Sequence, residues 1–212
     1  MDELDLKKAM QFLISPKNSV QEVSSFYESC AGIYENLTET LFFPVEVCVQ
    51  TAIKYNSDRN CVIVDACSGT GRVGRELLNQ NYKNVDAIEP SKSMIENGFK
   101  GYRNIFQKFI TEEPINEIKA NTYDLCTMLG GLAYGHFPPN GFDEIVRIVK
   151  KGGFAVIANT YFYLENSPEY WDGIQEKLKQ LAKDGFIEEK ERQIIDYLDD
   201  DKQVLLLVFK VI

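Results

Sequence analysis

Residues 61–74 constrain the fold more than any other part of the chain. They read Cys-Val-Ile-Val-Asp-Ala-Cys-Ser-Gly-Thr-Gly-Arg-Val-Gly. The apolar residues 61–64 predict a strand buried on both faces, which the acidic Asp65 ends. The small residues of 68–71 predict a tight turn into a helix that begins near Arg72. Such a strand, loop and helix can hold a nucleotide-sized ligand, because glycine lets the backbone approach closely and the first helical N–H groups face outward.

The loop admits two interpretations. Residues 69–74 match G-x-G-x-x-G, the fingerprint of dinucleotide-binding proteins. In that pattern the first glycine follows the strand almost at once, whereas here three residues separate the acidic residue from Gly69. The spacing of Asp65, Gly69 and Gly71 instead resembles the D-x-G-x-G-x-G loop of class I S-adenosylmethionine-dependent methyltransferases, with Cys67 in place of the first glycine.

This resemblance implies both a fold and a cofactor. The fold is an α/β three-layer sandwich around a seven-stranded, doubly wound sheet, parallel except for an antiparallel last strand. The cofactor is S-adenosyl-L-methionine, with S-adenosyl-L-homocysteine as the product, and Cys67, Gly69 and Gly71 are expected to border it. The cofactor's amino group needs an acceptor, for which Asp65 is the candidate. The alternative is that Asp65 only caps the next turn.

A second carboxylate follows the next predicted strand, Val85–Ile88. Glu89 lies about 20 residues past the glycines, where a doubly wound fold presents an acceptor to two ribose hydroxyls. A solvated strand-end carboxylate is the alternative. The segment after Glu89 resembles the family's acidic-x-S-x-x-M/L sequence, which implies that Pro90 and Met94 border the cofactor, although Met94 equally suits the core. Ser91 is expected to cap the next helix.

The third strand is predicted over Asn104–Ile110. Its end lacks the Gly-Asp-Ala segment of the resembled family, whose Asp meets the adenine amino group. Backbone groups of Phe109 and Ile110, or the Thr111 hydroxyl, are the candidate replacements.

An aromatic lid is expected before the sheet. Ser19 and Glu22 form a capping box for a helix predicted over Val20–Ile33. Residues 27–35 resemble the Y-x-x-W-A-x-x-Y-D sequence of small-molecule methyltransferases, which implies that Tyr34 covers the cofactor. Packing of the tyrosines on the core is the alternative.

The reaction centre is expected after the fourth strand, Leu125–Leu129. Ligands lie beyond the carboxyl ends of parallel strands, which places Leu129 and Gly130 at the sulfonium end of the cofactor. The Gly-Leu-x-x-Gly-His-x-Pro-Pro sequence of 131–139 and the segment 144–153 resemble the Williams-Beuren syndrome region methyltransferase-like family. His136 is the candidate general base. Its alternative role is to brace the loop by hydrogen bonding.

The other elements follow from periodicity and turn residues. An aromatic segment over 159–164 is either a substrate wall or a set of packing residues. The remaining predictions are helices over 4–14, 44–55, 72–80 and 140–149, a long helix opened by Tyr170 and Trp171, a turn at 150–153, a fifth strand over 154–158, and a hairpin of 186–197 and 204–211 around an acidic turn at 199–201.

Composition excludes several classes of partner. The chain has 212 residues and a net charge of −9, with no basic cluster that would bind a nucleic acid. Five cysteines without C-x-x-C spacing look like reduced core residues, and no stretch is long and apolar enough for a membrane span. We therefore expect a cytoplasmic monomer that forms one domain over 1–212, with a lid segment of 1–43 and a core of 44–212.

The acceptor of the methyl group is expected to be a small molecule or a protein side chain. An NAD(P)-dependent oxidoreductase and a non-catalytic cofactor-binding scaffold remain as alternatives.

Overall fold

The computed structural model describes residues 12, 18–35, 44–197 and 199–212. The helix predicted over 4–14 lies outside these residues, except for Phe12, which is helical. The described helices are α1 (Val20–Cys30), α2 (Val45–Tyr55), α3 (Arg72–Asn79), α4 (Lys92–Asn97), α5 (Gly141–Ile148), α6 (Tyr161–Glu165) and α7 (Pro168–Lys183). The described strands are β1 (Val62–Ala66), β2 (Asn84–Ile88), β3 (Ile105–Phe106), β4 (Tyr123–Leu129), β5 (Val149–Thr160), β6 (Ile187–Tyr197) and β7 (Asp199–Val211).

The strands form a seven-stranded sheet in the order β3-β2-β1-β4-β5-β7-β6. Strands β1 to β5 pair in parallel, whereas β7 lies between β5 and β6 and is antiparallel to both. This arrangement confirms the predicted fold class. The parallel strands also turn their carboxyl ends toward one edge of the sheet, where ligands bind in doubly wound folds.

Helices cover both faces of the sheet, and β7 shows the consequence of burial on two sides. Its alternating residues Leu205, Leu207 and Phe209 pack into one apolar cluster, with residues of α5 and α7. The neighbours Val204, Leu206 and Val208 pack into a second cluster on the opposite face, with residues of α2 and α3. A strand buried on both faces therefore reads as a continuous apolar run.

The predicted lid helix has the expected start and an earlier end. The Ser19 hydroxyl accepts from the backbone N–H of Glu22, and the Glu22 carboxylate accepts from the backbone N–H of Ser19, which completes the capping box. The α-helix ends at Cys30, and residues 31–33 form a tighter 3₁₀ turn. The turn redirects the chain before Tyr34.

Two predicted strand boundaries at the carboxyl edge of the sheet are wrong. Strand β1 continues through Asp65 to Ala66, because Asp65 and Ala66 both pair with residues of β2 and β4. Strand β3 contains two residues rather than the predicted 104–110. The backbone N–H of Lys108 donates back to the Phe106 carbonyl at 2.9 Å, and this turn takes the chain out of the sheet.

The predicted turn at 150–153 is a bulge inside β5. Tyr123 faces Val149 and Leu125 faces Phe154, so that four residues of β5 stand opposite one residue of β4. The predicted acidic turn at 199–201 is also wrong, because Tyr197 pairs with Asp199 and these residues begin β7.

Candidate functional site

A cavity opens at the carboxyl ends of β1, β2 and β4, and residues of α1 and Tyr34 also line it. Its space is about 960 Å³, including the part open to solvent. The candidate site residues from the sequence line this cavity, with the exception of Gly71 and of Thr111, the alternative candidate for the adenine amino group. They are Tyr34, Asp65, Cys67, Gly69, Glu89, Pro90, Met94, Phe109, Ile110, Leu129, Gly130 and His136.

The two glycines of the loop serve different purposes. Gly69 has a φ of +55°, and a Cβ added there would meet nothing within 4 Å, so the residue leaves open space. Gly71 has a φ of +84°, and its added Cβ would come within 2.8 Å of the Phe99 Cβ. Gly71 therefore permits close packing of the loop on the protein rather than on a ligand.

Cys67 adopts a backbone conformation that favours glycine. Its φ is +55°, in the left-handed region, where a residue with a Cβ is strained by about 1 kcal/mol or more. This conformation explains why glycine is usual at this position in the resembled loop.

Asp65 is almost completely buried, and the structure engages both of its carboxylate oxygens. Oδ2 accepts from the backbone N–H of Gly74 in the first turn of α3 and from the Tyr102 hydroxyl. Oδ1 accepts from the Thr127 hydroxyl at 3.1 Å. Burial raises the pKa of Asp65 to about 6, although these hydrogen bonds lower it. Asp65 thus anchors the loop and also borders the cavity.

Glu89 lies at the end of β2, with 6% of its surface exposed. Its two carboxylate oxygens accept from the backbone N–H groups of Gly69 at 2.8 Å and Ser91 at 2.9 Å. Burial raises the pKa of Glu89 to about 7. The carboxylate therefore joins the glycine loop to β2 and retains acceptor capacity toward the cavity, since each carboxylate oxygen has a second lone pair.

The described part of the predicted lid, residues 18–35, forms polar contacts with the core through Glu28 and Glu35. Glu28 of α1 accepts from the Ser91 hydroxyl at 2.7 Å and from the Ser93 hydroxyl and backbone N–H. The Arg72 guanidinium donates to the Glu35 carbonyl at 2.7 Å, and Arg75 forms an ion pair with the Glu35 carboxylate at 3.1 Å. The lid therefore contacts α3 and α4, the helices that flank the candidate cofactor site.

His136 lines the cavity and contacts α1 through the Tyr27 side chain. Its Nδ1 lies 2.7 Å from the Tyr134 carbonyl oxygen, and its Nε2 lies 2.7 Å from the Tyr27 hydroxyl. Burial lowers the pKa of His136 and raises that of Tyr27 well above its usual value, so both groups are neutral near pH 7. The histidine thus braces its loop and also faces the cavity.

Met94 shows that two alternatives for one residue can both hold. It lines the cavity and also belongs to a small buried cluster with Cys30 and Ala31 of the lid segment.

The aromatic residues at the end of β5 and after it were predicted to form either a substrate wall or helix packing. The described lining includes no residue of 159–171, and the Tyr170 hydroxyl donates to the Phe137 carbonyl at 2.7 Å. Helix packing therefore describes Tyr170 better than a substrate wall.

The sequence did not predict several residues that build the site, among them residues of α1 and the partners of Asp65. Val23 and Ser24 line the cavity from α1, and their positions three and four residues before Tyr27 place them on the same helical face. The amphipathic pattern of α1 could have indicated them. Tyr102 and Thr127 hold Asp65, and no local signal connects them with it.

No group of three or more His, Cys, Asp or Glu side chains is placed to hold a metal in the part of the chain that the structure describes. Across the same residues, no helix combines the length and apolar character needed to cross a bilayer.

Comparisons with known proteins agree with this geometry. Residues 63–153, somewhat less than half of the chain, match the family profile described as "Methyltransferase domain". Demethylmenaquinone methyltransferases from Chlamydia trachomatis are 25% identical over 134 residues, which is 62% of this chain and 58% of theirs. The chain thus spans 58% of the length of the curated relatives that it matches.

Solved structures share the fold at low identity. A TehB-like SAM-dependent methyltransferase from Corynebacterium glutamicum is 18% identical, with a TM-score of 0.60 over 89% of this chain and 99% of that one. A candidate methyltransferase from Haloferax volcanii, solved with the Trm112 methyltransferase activator, is 15% identical, with a TM-score of 0.61 over 87% of this chain and 97% of that one. The chain thus shares the fold of these methyltransferase structures and contains a matched methyltransferase domain, and its cavity lies at the strand ends where ligands bind in doubly wound folds.

Proposed function

We propose that the protein transfers the methyl group of S-adenosyl-L-methionine to a small-molecule acceptor. An exposed protein side chain is the second acceptor class that the sequence allows. The observation that carries the proposal is the pairing of the Gly69 N–H with the Glu89 carboxylate at the cavity. This pairing suits a nucleoside whose ribose hydroxyls donate to a carboxylate.

The same loop is poorly suited to a pyrophosphate. A dinucleotide needs free N–H groups at the glycine turn. Here the Gly69 N–H donates to Glu89, the Gly71 N–H donates to the Ser68 carbonyl, and the Gly74 N–H donates to Asp65. These three contacts favour the methyltransferase over the oxidoreductase alternative.

The lining residues fit the parts of the cofactor. Glu89 would accept the ribose hydroxyls, while the apolar Met94 and the Phe109–Ile110 backbone would border the adenine. Asp65, anchored at the start of α3, would favour the positively charged amino group, and Tyr34 would cover the bound molecule. When bound, S-adenosyl-L-methionine supplies a methyl group on a positively charged sulfur.

Leu129, Gly130 and His136 would surround the reacting end. Methyl transfer is an in-line displacement that is accelerated by positioning and by exclusion of water. The lid, held by Glu28 and Glu35, would provide that exclusion. His136 is neutral and faces the cavity, which suits a general base.

Narrower assignments remain proposals. The name of the Chlamydia relatives makes a quinol one acceptor to test. Five free thiols support a cytoplasmic location. We propose a monomer in which 1–43 acts as a lid on the core of 44–212. The Haloferax neighbour was solved in complex with an activator, so a second chain is the alternative to test.

Calorimetric titration with S-adenosyl-L-homocysteine and with NADH tests the cofactor. We expect binding of the homocysteine nucleoside, and Glu89→Ala should weaken it by about 1 to 3 kcal/mol, because two hydroxyls lose a charged acceptor. Glu96→Ala is the matched control, since this carboxylate is exposed on α4 and lies outside the cavity lining. Tight binding of NADH alone would refute the proposal, and unchanged affinity in Glu89→Ala would remove this residue from the site.

A non-catalytic scaffold would bind the cofactor without consuming it. Formation of S-adenosyl-L-homocysteine from labelled cofactor, with a panel of small acceptors that includes a quinol, separates the enzyme from the scaffold.

A further inference from the structure

The hydrogen bond between Tyr27 and His136 joins the lid to the reaction end of the cavity across 109 residues of sequence. A carbonyl oxygen can only accept, so the 2.7 Å contact with the Tyr134 carbonyl places the proton of a neutral imidazole on Nδ1. Nε2 then carries the lone pair, and the Tyr27 hydroxyl must donate to it. The contact therefore has a direction.

This direction determines which group meets an acceptor. The His136 lone pair is already engaged by Tyr27, whereas the Tyr27 oxygen keeps lone pairs of its own. Tyr27 and His136 both line the cavity, as do Gly131 and Gly135. The first proton acceptor available to a substrate is thus the tyrosine oxygen, with the histidine behind it.

We propose that Tyr27 is a catalytic residue and that His136 acts through it as the final proton acceptor. This inference rests on the proposed methyl transfer. The bond between the acceptor oxygen and the methyl carbon forms while the sulfur–methyl bond breaks, leaving its electron pair on sulfur. The acceptor's proton moves to the Tyr27 oxygen as the Tyr27 proton moves to His136 Nε2, and the resulting imidazolium later releases its proton to solvent.

The pair also defines a substrate class. Tyr27 cannot ionise near neutral pH, because burial holds its pKa well above its usual value, so the transfer must be concerted through a neutral phenol. The described rings that contact Tyr27 belong to the uncharged residues Phe26, Tyr34 and His136. The site therefore suits an uncharged acceptor with an O–H or N–H proton that must leave during the reaction.

Two probe acceptors separate proton transfer from simple closure of the lid. Hydroquinone keeps its O–H protons near neutral pH, whereas thiophenol, an aromatic thiol of similar size, loses its proton without help. In Tyr27→Phe, which keeps the ring, we expect methylation of hydroquinone to fall by about a hundredfold or more and methylation of thiophenol to change by less than about threefold. His136→Asn should show the same selectivity.

Tyr163→Phe is the matched control. Tyr163 lies close enough to Tyr27 to influence its pKa, but it does not line the cavity, so both rates should be retained. Equal loss of both rates in Tyr27→Phe would overturn the proposal, because a structural latch affects every acceptor alike.

A second measurement needs no turnover. His136 is the single histidine of the chain, so ¹⁵N-labelled histidine gives one imidazole to observe. We expect the neutral Nδ1–H form, with an Nε2 resonance that shifts in Tyr27→Phe. A proton on Nε2 at neutral pH would overturn the relay. Binding of S-adenosyl-L-homocysteine with either result would leave the proposed function intact, whereas its absence would remove both.

Discussion

Two buried aspartates on neighbouring strands have opposite environments. Asp86 of β2 accepts from the Arg103 guanidinium at 2.9 and 2.8 Å, which forms a paired charge. Among the described residues, Asp65 of β1 has only uncharged donors, from Gly74, Tyr102 and Thr127. None of these residues compensates its charge, which suits a position that meets a positively charged group of a ligand.

Removing the Asp65 charge should stabilise the free protein. In Asp65→Asn the amide oxygen can keep the bonds from Gly74 and Tyr102, and the amide N–H can donate to Thr127. Burial raises the pKa of Asp65 from 3.8 to about 6, so the stability that its protonation provides is complete below about pH 4 and is lost as pH rises through 6. The variant should thus gain about 1 to 3 kcal/mol above pH 6, and little near pH 4.

Denaturant unfolding across this pH range measures the gain, with Asp86→Asn as the contrast. That variant should lose stability, by about 1 to 3 kcal/mol, because the charge-assisted hydrogen bonds from the partly exposed Arg103 are weakened. Destabilisation of Asp65→Asn at every pH would show that its charge is compensated in the native protein. Its affinity for S-adenosyl-L-homocysteine should fall even where its stability rises.

At the scale of elements, α1 belongs to the site although it lies outside the sheet. It supplies Tyr27 and other lining residues, and Glu28 holds it to α4 through Ser91 and Ser93. The helix buries few residues of its own, namely Val23 and Cys30. A helix with little apolar burial depends on such polar contacts for its position, and this is typical of elements that open locally.

Loss of the Glu28 contact should loosen the lid without unfolding the core. We expect Glu28→Ala to release S-adenosyl-L-homocysteine about three- to tenfold faster, because the bound molecule leaves only when the lid opens. Ser29→Ala is the control, because the Ser29 hydroxyl donates only within α1, to the Phe26 carbonyl. Stopped-flow displacement measures both rates. Equal release rates for Glu28→Ala and the native protein would show that this contact does not govern opening.

At the scale of the whole molecule, the inserted strand β7 carries both halves of the core. Leu206 and Leu207 are adjacent in sequence, yet they pack on opposite faces of the sheet. Each is at most 3% exposed. The two apolar layers are therefore coupled through one strand, which predicts that they unfold together.

Truncation on either face should cost similar stability. We expect Leu206→Ala and Leu207→Ala each to lower the free energy of unfolding by about 2 to 5 kcal/mol, through lost burial and a new cavity. Ile194→Ala on β6 should cost less than about 1 kcal/mol, since this side chain is 49% exposed. Chemical denaturation followed by two spectroscopic probes measures these changes, and separate transitions for the two variants would contradict a single cooperative core.

Local physics explains why the sequence alone determined so much of this protein. An apolar run, a turn that needs positive φ and an amphipathic helix depend on near neighbours, so β1, its loop and α3 were predictable. The same holds for Glu89, directly after β2, and for Asp65, near the end of β1. Strand boundaries were less predictable, because they depend on pairing with other strands. Pairing with β2 and β4 extends β1 past Asp65, whereas the edge strand β3 ends where the backbone turns at Lys108.

The tertiary structure alone decided which distant residues meet. Tyr27 reaches His136, and Tyr102 reaches Asp65, only because the sheet register and the packing of the lid bring them together. No local signal encodes such contacts, since each depends on the position of every strand between the partners. The sequence thus predicted many of the residues that line the cavity, whereas the tertiary structure determined which distant residues meet there.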